Sequence, residues 1–167
     1  NGGAVVTNNR SIYDWVSAYF NHGKDTNVIG SNARMSELEA AHMMVRTQYI
    51  DQWQERRRDI AGYYMERLKD SVRVVANDKK RHSWHKFVID VEGRDKLRRD
   101  LGERGIETKI HYDRPLHEMP KYEHYKNPGL MSVASSLSRR VLSLPIYPEL
   151  TDAEVEIIAD LVRNHIA

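Results

Sequence analysis

A small α/β or α+β layer, a sheet with helices on one face, is the fold class this sequence predicts. Two observations predict it. Strand-like runs alternate with helical ones along the second half of the chain, in the order "VRVVA", "SWHKFVIDV", "GRDKLRRDLGERG", "IETKIHY". Two S/T-x-x-E capping boxes, Ser36 with Glu39 and Thr151 with Glu154, mark where the two main helices begin. The 167 residues suffice for one ordinary domain, or for a small domain plus part of another. At 40% hydrophobic and 30% charged they suit a globular protein with a real core.

Each element has its own local cause. "GGAVVT" reads as a buried strand at the very start; a lone strand needs neighbours for its backbone groups, so the chain reads as the C-terminal part of something longer. "NNRSIYDWVSAYFNHG" supplies an Asn cap, apolar Ile12, Trp15, Val16, Tyr19 and Phe20 at helical spacing, and Gly23 as a stop. The helix opened by Ser36 carries Leu38, Ala41, Val45, Tyr49, Trp53, Ile60, Tyr64 and Leu68. It has room to run for about thirty residues with one break, long enough to link two lobes. "VRVVA" is a short strand and "SWHKFVIDV" a longer one; a helix closed by Gly105 leads to "IETKIHY" as a third strand. After a loop holding Pro115, Pro120 and Pro128, "SVASSLSRRVLSLP" predicts a short helix running into an extended end. "DAEVEIIADLVRNHI" is the final helix.

Composition and motifs exclude several classes. With no cysteine there are no disulfides and no thiolate metal sites, which fits a reducing cytosol. No apolar run approaches the roughly 18 residues of a membrane helix. The 26 basic and 24 acidic residues give a net charge of +2, and the basic ones are interspersed with acids rather than striped, which argues against nucleic acid. No G-x-G-x-x-G, Walker or H-E-x-x-H pattern occurs. His82 and His85 read as a strand-edge pair rather than as ligands.

Two stretches carry candidate chemistry. In "KIHYDRPLHEMPKY", Lys109, His111, Tyr112, Arg114 and His117 crowd a strand end and a proline-bounded loop. Such loops gather binding groups, and these donors suit a phosphorylated or polyhydroxylated ligand. A solvated loop is the plain alternative, and two histidines without a third ligand make a poor metal site. In "VIGSNARMSELEAA", Gly30, Asn32 and Arg34 precede a helix. Either Asn32 bonds locally to backbone while Arg34 pairs with Glu37 or Glu39, or amide and guanidinium form a phosphate receptor beside the helix N-terminus.

Taken together, "GGAVVTNN…NHG…IGSNARMSELEAA…ERRRDIAGYY…WHKFVIDV…RGIETKIHYDRPLH…VLSLPIYPELTDAEV" resembles the C-terminal half of the DegT/DnrJ/StrS sugar aminotransferases. These are pyridoxal-phosphate enzymes of fold type I, and the resemblance covers essentially the whole chain. It implies that residues 1–35 end a large cofactor-binding domain, with a strand, a helix and a phosphate-contact loop. Residues 36–167 are then the linking helix and a small C-terminal α/β domain. The family's Schiff-base lysine would lie upstream of Asn1, so no catalytic residue is assigned here, and neither Lys86 nor Lys109 falls at its position.

The resemblance further implies a homodimer with shared sites, in which Asn32 reaches the cofactor phosphate of the partner and Arg34 lies beside it. His111, Tyr112 and His117 would contact a nucleotide-linked sugar. The expected reaction moves an amino group, usually from glutamate, onto a keto sugar, in the cytoplasm and with the N-terminal half of the same protein. A dehydrase or regulator of the same family is the near alternative. A non-catalytic nucleotide-sugar-binding or dimerisation module is the distant one.

Overall fold

Helices begin where the capping chemistry puts them. The computed structural model describes residues 3–76, 82–125 and 131–166. Asn9 accepts from the backbone N–H groups of Ser11 and Ile12, at 2.9 and 3.3 Å, and opens α1, Arg10–Tyr19. Past its end, Gly23 takes φ 68° and donates its N–H to the Ala18 carbonyl at 2.7 Å. The Ser36–Glu39 capping box closes in both directions ahead of α2, Glu37–Thr47.

The long helix is broken. Gln48 and Tyr49 donate to Val45 and Arg46, three residues back, which tightens the last turn and ends the ladder. The next helix, α3, runs Ile50–Arg67. The chain correspondingly packs as two compact units, Asn1–Tyr49 and Ile50–Ala167.

In the first unit the expected leading strand does not form. Residues 3–7 have no ladder partner among the described residues, and Val5 and Val6 are 62% and 96% exposed. An extended run with no neighbouring strand leaves its backbone groups to water.

The second unit holds the core. Strands β1 (Arg73–Val74), β2 (Phe87–Asp90) and β3 (Val141–Leu144) form an antiparallel sheet in the order β1-β2-β3. Helix α4, Arg94–Gly102, ends in a Schellman closure: Gly105 at φ 77° donates to Gly102, and Ile106 donates to Leu101. Helix α5 spans Ser132–Ser138, and α6, Asp152–Ile166, starts on the Thr151–Glu154 capping box. Phe87 and Ile89 alternate inward from β2 and meet Leu142 and Leu144 of β3. Tyr64 of α3 and Leu68 just beyond it, Leu101 of α4 and Ile158 and Val162 of α6 join the same core.

"IETKIHY" was expected as a strand, and it contributes only one bridge. Lys109 and Ser143 exchange both backbone hydrogen bonds, at 3.2 and 2.7 Å. Extension fails at both sides for a stated reason. The next pair would need an N–H from Pro145, which has none. On the other side the Val141 carbonyl is taken by the Arg94 guanidinium at 3.1 Å.

Candidate functional site

The two candidate stretches lie in different units. In the first, residues 30–33 are strapped antiparallel to residues 19–22. Ser31 N–H donates to Tyr19 at 2.8 Å, His22 N–H to Ser31 at 3.2 Å, and Ala33 N–H to Phe20 at 3.2 Å, around the Asn21–Asn32 bridge. The strap is close enough to demand glycine. A Cβ on Gly30 would stand 2.2 Å from the Tyr19 carbonyl oxygen, and one on Gly23 would stand 1.7 Å from that of Val28.

This backbone presents Asn32 and Arg34 outward, both exposed. Among the described residues neither side chain has a hydrogen-bond or ion-pair partner. The local reading, Arg34 against Glu37 or Glu39, does not form among the described residues. Glu39 is committed to the cap, and its backbone and side-chain hydrogen bonds with Ser36 hold its carboxyl below the usual range. An amide and a guanidinium on a braced loop are left with their donors free.

In the second unit His111 is the centre of the arrangement. Its Nδ1 lies 2.8 Å from the Ser143 hydroxyl. The geometry follows from the bridge: Lys109 sits opposite Ser143, and His111, two residues on, shares that face. Both His111 and Ser143 line a cavity of about 1040 Å³, together with His85, Lys86 and Lys109. Burial first, then the positive charges of Lys86, His85 and Lys109, push the His111 imidazole below its ordinary value. It therefore works near neutral pH as an uncharged donor or acceptor rather than as a cation.

The other loop residues are not brought to this cavity. Tyr112 is 67% exposed, its ring edge-on to His111 at 5.3 Å. His117 turns to its own cluster, with Nε2 at 3.0 Å from the Ser135 hydroxyl and 3.6 Å from Glu118, while Ser135 donates to Glu118. Arg114 is exposed. Pro128 lies outside the described residues. No cluster of three or more metal-ligating side chains occurs among the described residues, and no helix there is long and apolar enough to cross a membrane.

Sequence reasoning missed Ser143 and undervalued His85. His82 is indeed local, its Nδ1 accepting from Trp84 N–H at 2.9 Å, but His85 lines the cavity.

A small antiparallel sheet packed against helices thus carries the donor-rich loop and the cavity beside it. The chain belongs to the DegT/DnrJ/EryC1/StrS aminotransferase family, whose model matches residues 1–163. It is 37% identical to the erythromycin biosynthesis sensory transduction protein EryC1 of Saccharopolyspora erythraea, over 96% of this chain and 46% of that protein. It is 33% identical to the dTDP-3-amino-3,6-dideoxy-alpha-D-galactopyranose transaminase of Aneurinibacillus thermoaerophilus, over 98% of this chain and 47% of that one. A crystal structure of a family aminotransferase from Brucella abortus superposes with a TM-score of 0.90 at 33% identity, over 96% of this chain and 45% of that one. The chain thus spans about half the length of the relatives it matches.

Proposed function

We propose that the chain is the C-terminal portion of a pyridoxal-phosphate-dependent aminotransferase that transfers an amino group, from glutamate, to a nucleotide-linked keto sugar. The observation that carries this reading is the braced loop with Asn32 and Arg34 unpartnered, in a chain of this family. Two relatives named as dTDP-amino-sugar transaminases, at 33% and 35% identity, support the substrate class.

The donor set fits the cofactor's phosphate. Asn32 offers an amide N–H to one oxygen, and Arg34 offers a planar fork to oxygens beside it, with no acceptor competing among the described residues. When bound, pyridoxal phosphate supplies the carbonyl that carries the amino group between donor and acceptor. This chain's residues bind and orient. Asn32 and Arg34 act on the partner subunit's cofactor in a homodimer. His111, fixed by Ser143, hydrogen-bonds the sugar, with Tyr112 and His117 on the same loop.

Residues 1–35 then belong to the large domain and 36–167 to the linking helix and small domain. The apolar side chains of the first unit, among them Trp15, Leu38 and Met44 at 54%, 82% and 72% exposure, meet the N-terminal half and the second subunit of a cytoplasmic enzyme. The test is direct. Full-length protein with pyridoxal phosphate, glutamate and a dTDP-linked 3-keto sugar should give the amino sugar and one equivalent of 2-oxoglutarate. Deoxygenated sugar without incorporated nitrogen would assign the chain to the dehydrases instead.

A further inference from the structure

The loop between His111 and His117 is fastened at both ends to one stretch of chain. At its start, His111 Nδ1 meets the Ser143 hydroxyl of β3 at 2.8 Å. At its end, His117 Nε2 meets the Ser135 hydroxyl of α5 at 3.0 Å, and Ser135 donates to Glu118. A carboxylate only accepts, so the single Ser135 proton goes to Glu118, and His117 donates to the Ser135 oxygen from a protonated Nε2. The second contact agrees: Nε2 faces the Glu118 carboxylate at 3.6 Å, a placement that a bare lone pair would oppose. The His117 side chain is only 13% exposed. Helix α5 is itself tied down. Ser138 Oγ donates to the Ser135 carbonyl at 3.0 Å, and buried Arg94 donates to the Ser138 and Val141 carbonyls at 3.3 and 3.1 Å. Residues Leu116–Glu118 close a short 3-10 turn, with Glu118 N–H on Pro115 and Met119 N–H on Leu116, both at 3.0 Å. Between the two fastenings Tyr112 and Leu116 stand out at 67% and 66% exposure.

We propose that Ser135 and Glu118 are positioning residues for the sugar-binding loop. They lock the His117 imidazole as the loop's far anchor, and residues 112–116 are thereby presented to the nucleotide-linked sugar in one arrangement. The inference rests on the sugar reading of this loop and gives His117 the part of an anchor rather than of a sugar contact. A loop held beforehand in its binding conformation loses less freedom when the ligand arrives, which favours affinity. A hydrogen bond that ends on a carboxylate is stronger than a neutral one, so the His117–Ser135–Glu118 relay is a firm fastening. His111 differs. No carboxylate bonds to Ser143 among the described residues, and the His111 ring faces the cavity. Two histidines that look alike in the sequence therefore take different parts, one toward the ligand and one toward the protein.

The experiment uses the full-length protein with two readouts, amide hydrogen exchange and steady-state kinetics with glutamate and a dTDP-linked 3-keto sugar. Ser135→Ala should speed exchange of the Glu118 and Met119 amides about fivefold or more while the β2 amides keep their protection. The same variant should raise the sugar KM about three- to tenfold and leave kcat and the glutamate KM in place. Ser135→Thr keeps the hydroxyl and should restore both readouts. Ser132→Ala, at the exposed start of the same helix, should alter neither. Unchanged exchange at Glu118 and Met119 in Ser135→Ala overturns the anchor. Faster exchange with an unmoved sugar KM overturns the positioning role. A matching rise in the glutamate KM, or faster exchange in β2, means general damage and overturns it as well. If Tyr112→Ala or His111→Ala raises the sugar KM while Ser135→Ala does not, the sugar reading stands and this inference falls. If both of those variants leave sugar kinetics untouched, the sugar reading of the loop falls by itself, and the exchange rates still judge the anchor.

Discussion

Helices α1 and α3 carry the same kind of apolar stripe and meet opposite fates. On α1, Ile12, Trp15 and Tyr19 recur at helical spacing and remain 47%, 54% and 39% exposed. On α3, Ile60, Tyr64 and Leu68, the last just beyond the helix, are at most 1% exposed. None of the residues of α1 or α2 is buried. Periodicity therefore identifies a face built to be covered and says nothing about which piece of protein covers it. In the second unit the cover is the sheet and α6. In the first, the stripe and its stacked pair Trp15–Tyr19, 5.3 Å apart, find no such cover within their own unit among the described residues.

The sharpest way to break the contrast is to truncate one aromatic on each helix. Tyr64→Ala removes a ring that packs on Phe87 at 5.0 Å and a hydroxyl that donates to the Pro145 carbonyl at 3.1 Å. It should cost about 3–5 kcal/mol in urea denaturation of this chain. Trp15→Ala in the same chain should change stability by less than about 0.5 kcal/mol, and should become costly only in the full-length protein. Equal losses in the isolated chain would end the distinction.

A second comparison sets the braced loop against the core. Asn32→Ala leaves every hydrogen bond of the strap intact, so folding should hold while cofactor affinity in the full-length protein falls by about 1–3 kcal/mol. Mixing that variant with a chain lacking the Schiff-base lysine checks the trans geometry. Subunit exchange should restore activity to at most about half of wild type per dimer if the grip crosses the interface. No recovery would place Asn32 in its own chain's site.

The second unit also carries a pH-dependent clamp. Asp90 is clamped by Arg140, at 2.7 and 3.0 Å, and by Arg73 at 2.6 Å, and its carboxylate is almost wholly buried. The Arg140 hydrogen bonds, opposed by burial and helped by Arg73, hold its pKa below the ordinary carboxylate value. A depressed folded pKa stabilises above the unfolded value and loses that contribution as pH falls through the folded one. Stability of the second unit should therefore drop below about pH 4, and Asp90→Asn should flatten that slope at a cost of about 1–3 kcal/mol near neutrality. A slope unchanged by the substitution would remove Asp90 from the account.

The smallest effect is a gain. A Cβ added to Gly62, in the exposed interior of α3, meets nothing within 4 Å, so Gly62→Ala should add about 0.5–1 kcal/mol. Gly30→Ala, pressed against the Tyr19 carbonyl, should instead open the strap and lower cofactor affinity with it.

What the sequence made legible was local. Asn9, Ser36 and Thr151 fix helix starts through hydrogen bonds that span two or three residues, and Gly105 fixes an end in the same way. The sheet was harder, because β3 is an extended run whose place between β2 and Lys109 depends on partners about fifty and thirty residues away. "IETKIHY" has strand-like residues, yet Pro145 and Arg94, both distant in the chain, decide how much of it pairs. The site divided along the same line. Asn32, Arg34 and His111 lie in polar stretches that stand out to the eye. Ser143 is hidden inside an apolar run, and only the register brings its hydroxyl to the imidazole.

That single bridge at Lys109 also bears on how the molecule stays apart from its own copies. "VLSL" is short, uncharged and fully buried, the composition that templates fibrils when its free side is left open. Here one side is zipped to β2. The other is stopped by a proline without an N–H, a guanidinium on the next carbonyl, and a bridge whose outward side chain is a lysine. An incoming strand finds no continuous ladder to join, so β3 gains the burial of a central strand without becoming a seed for aggregation.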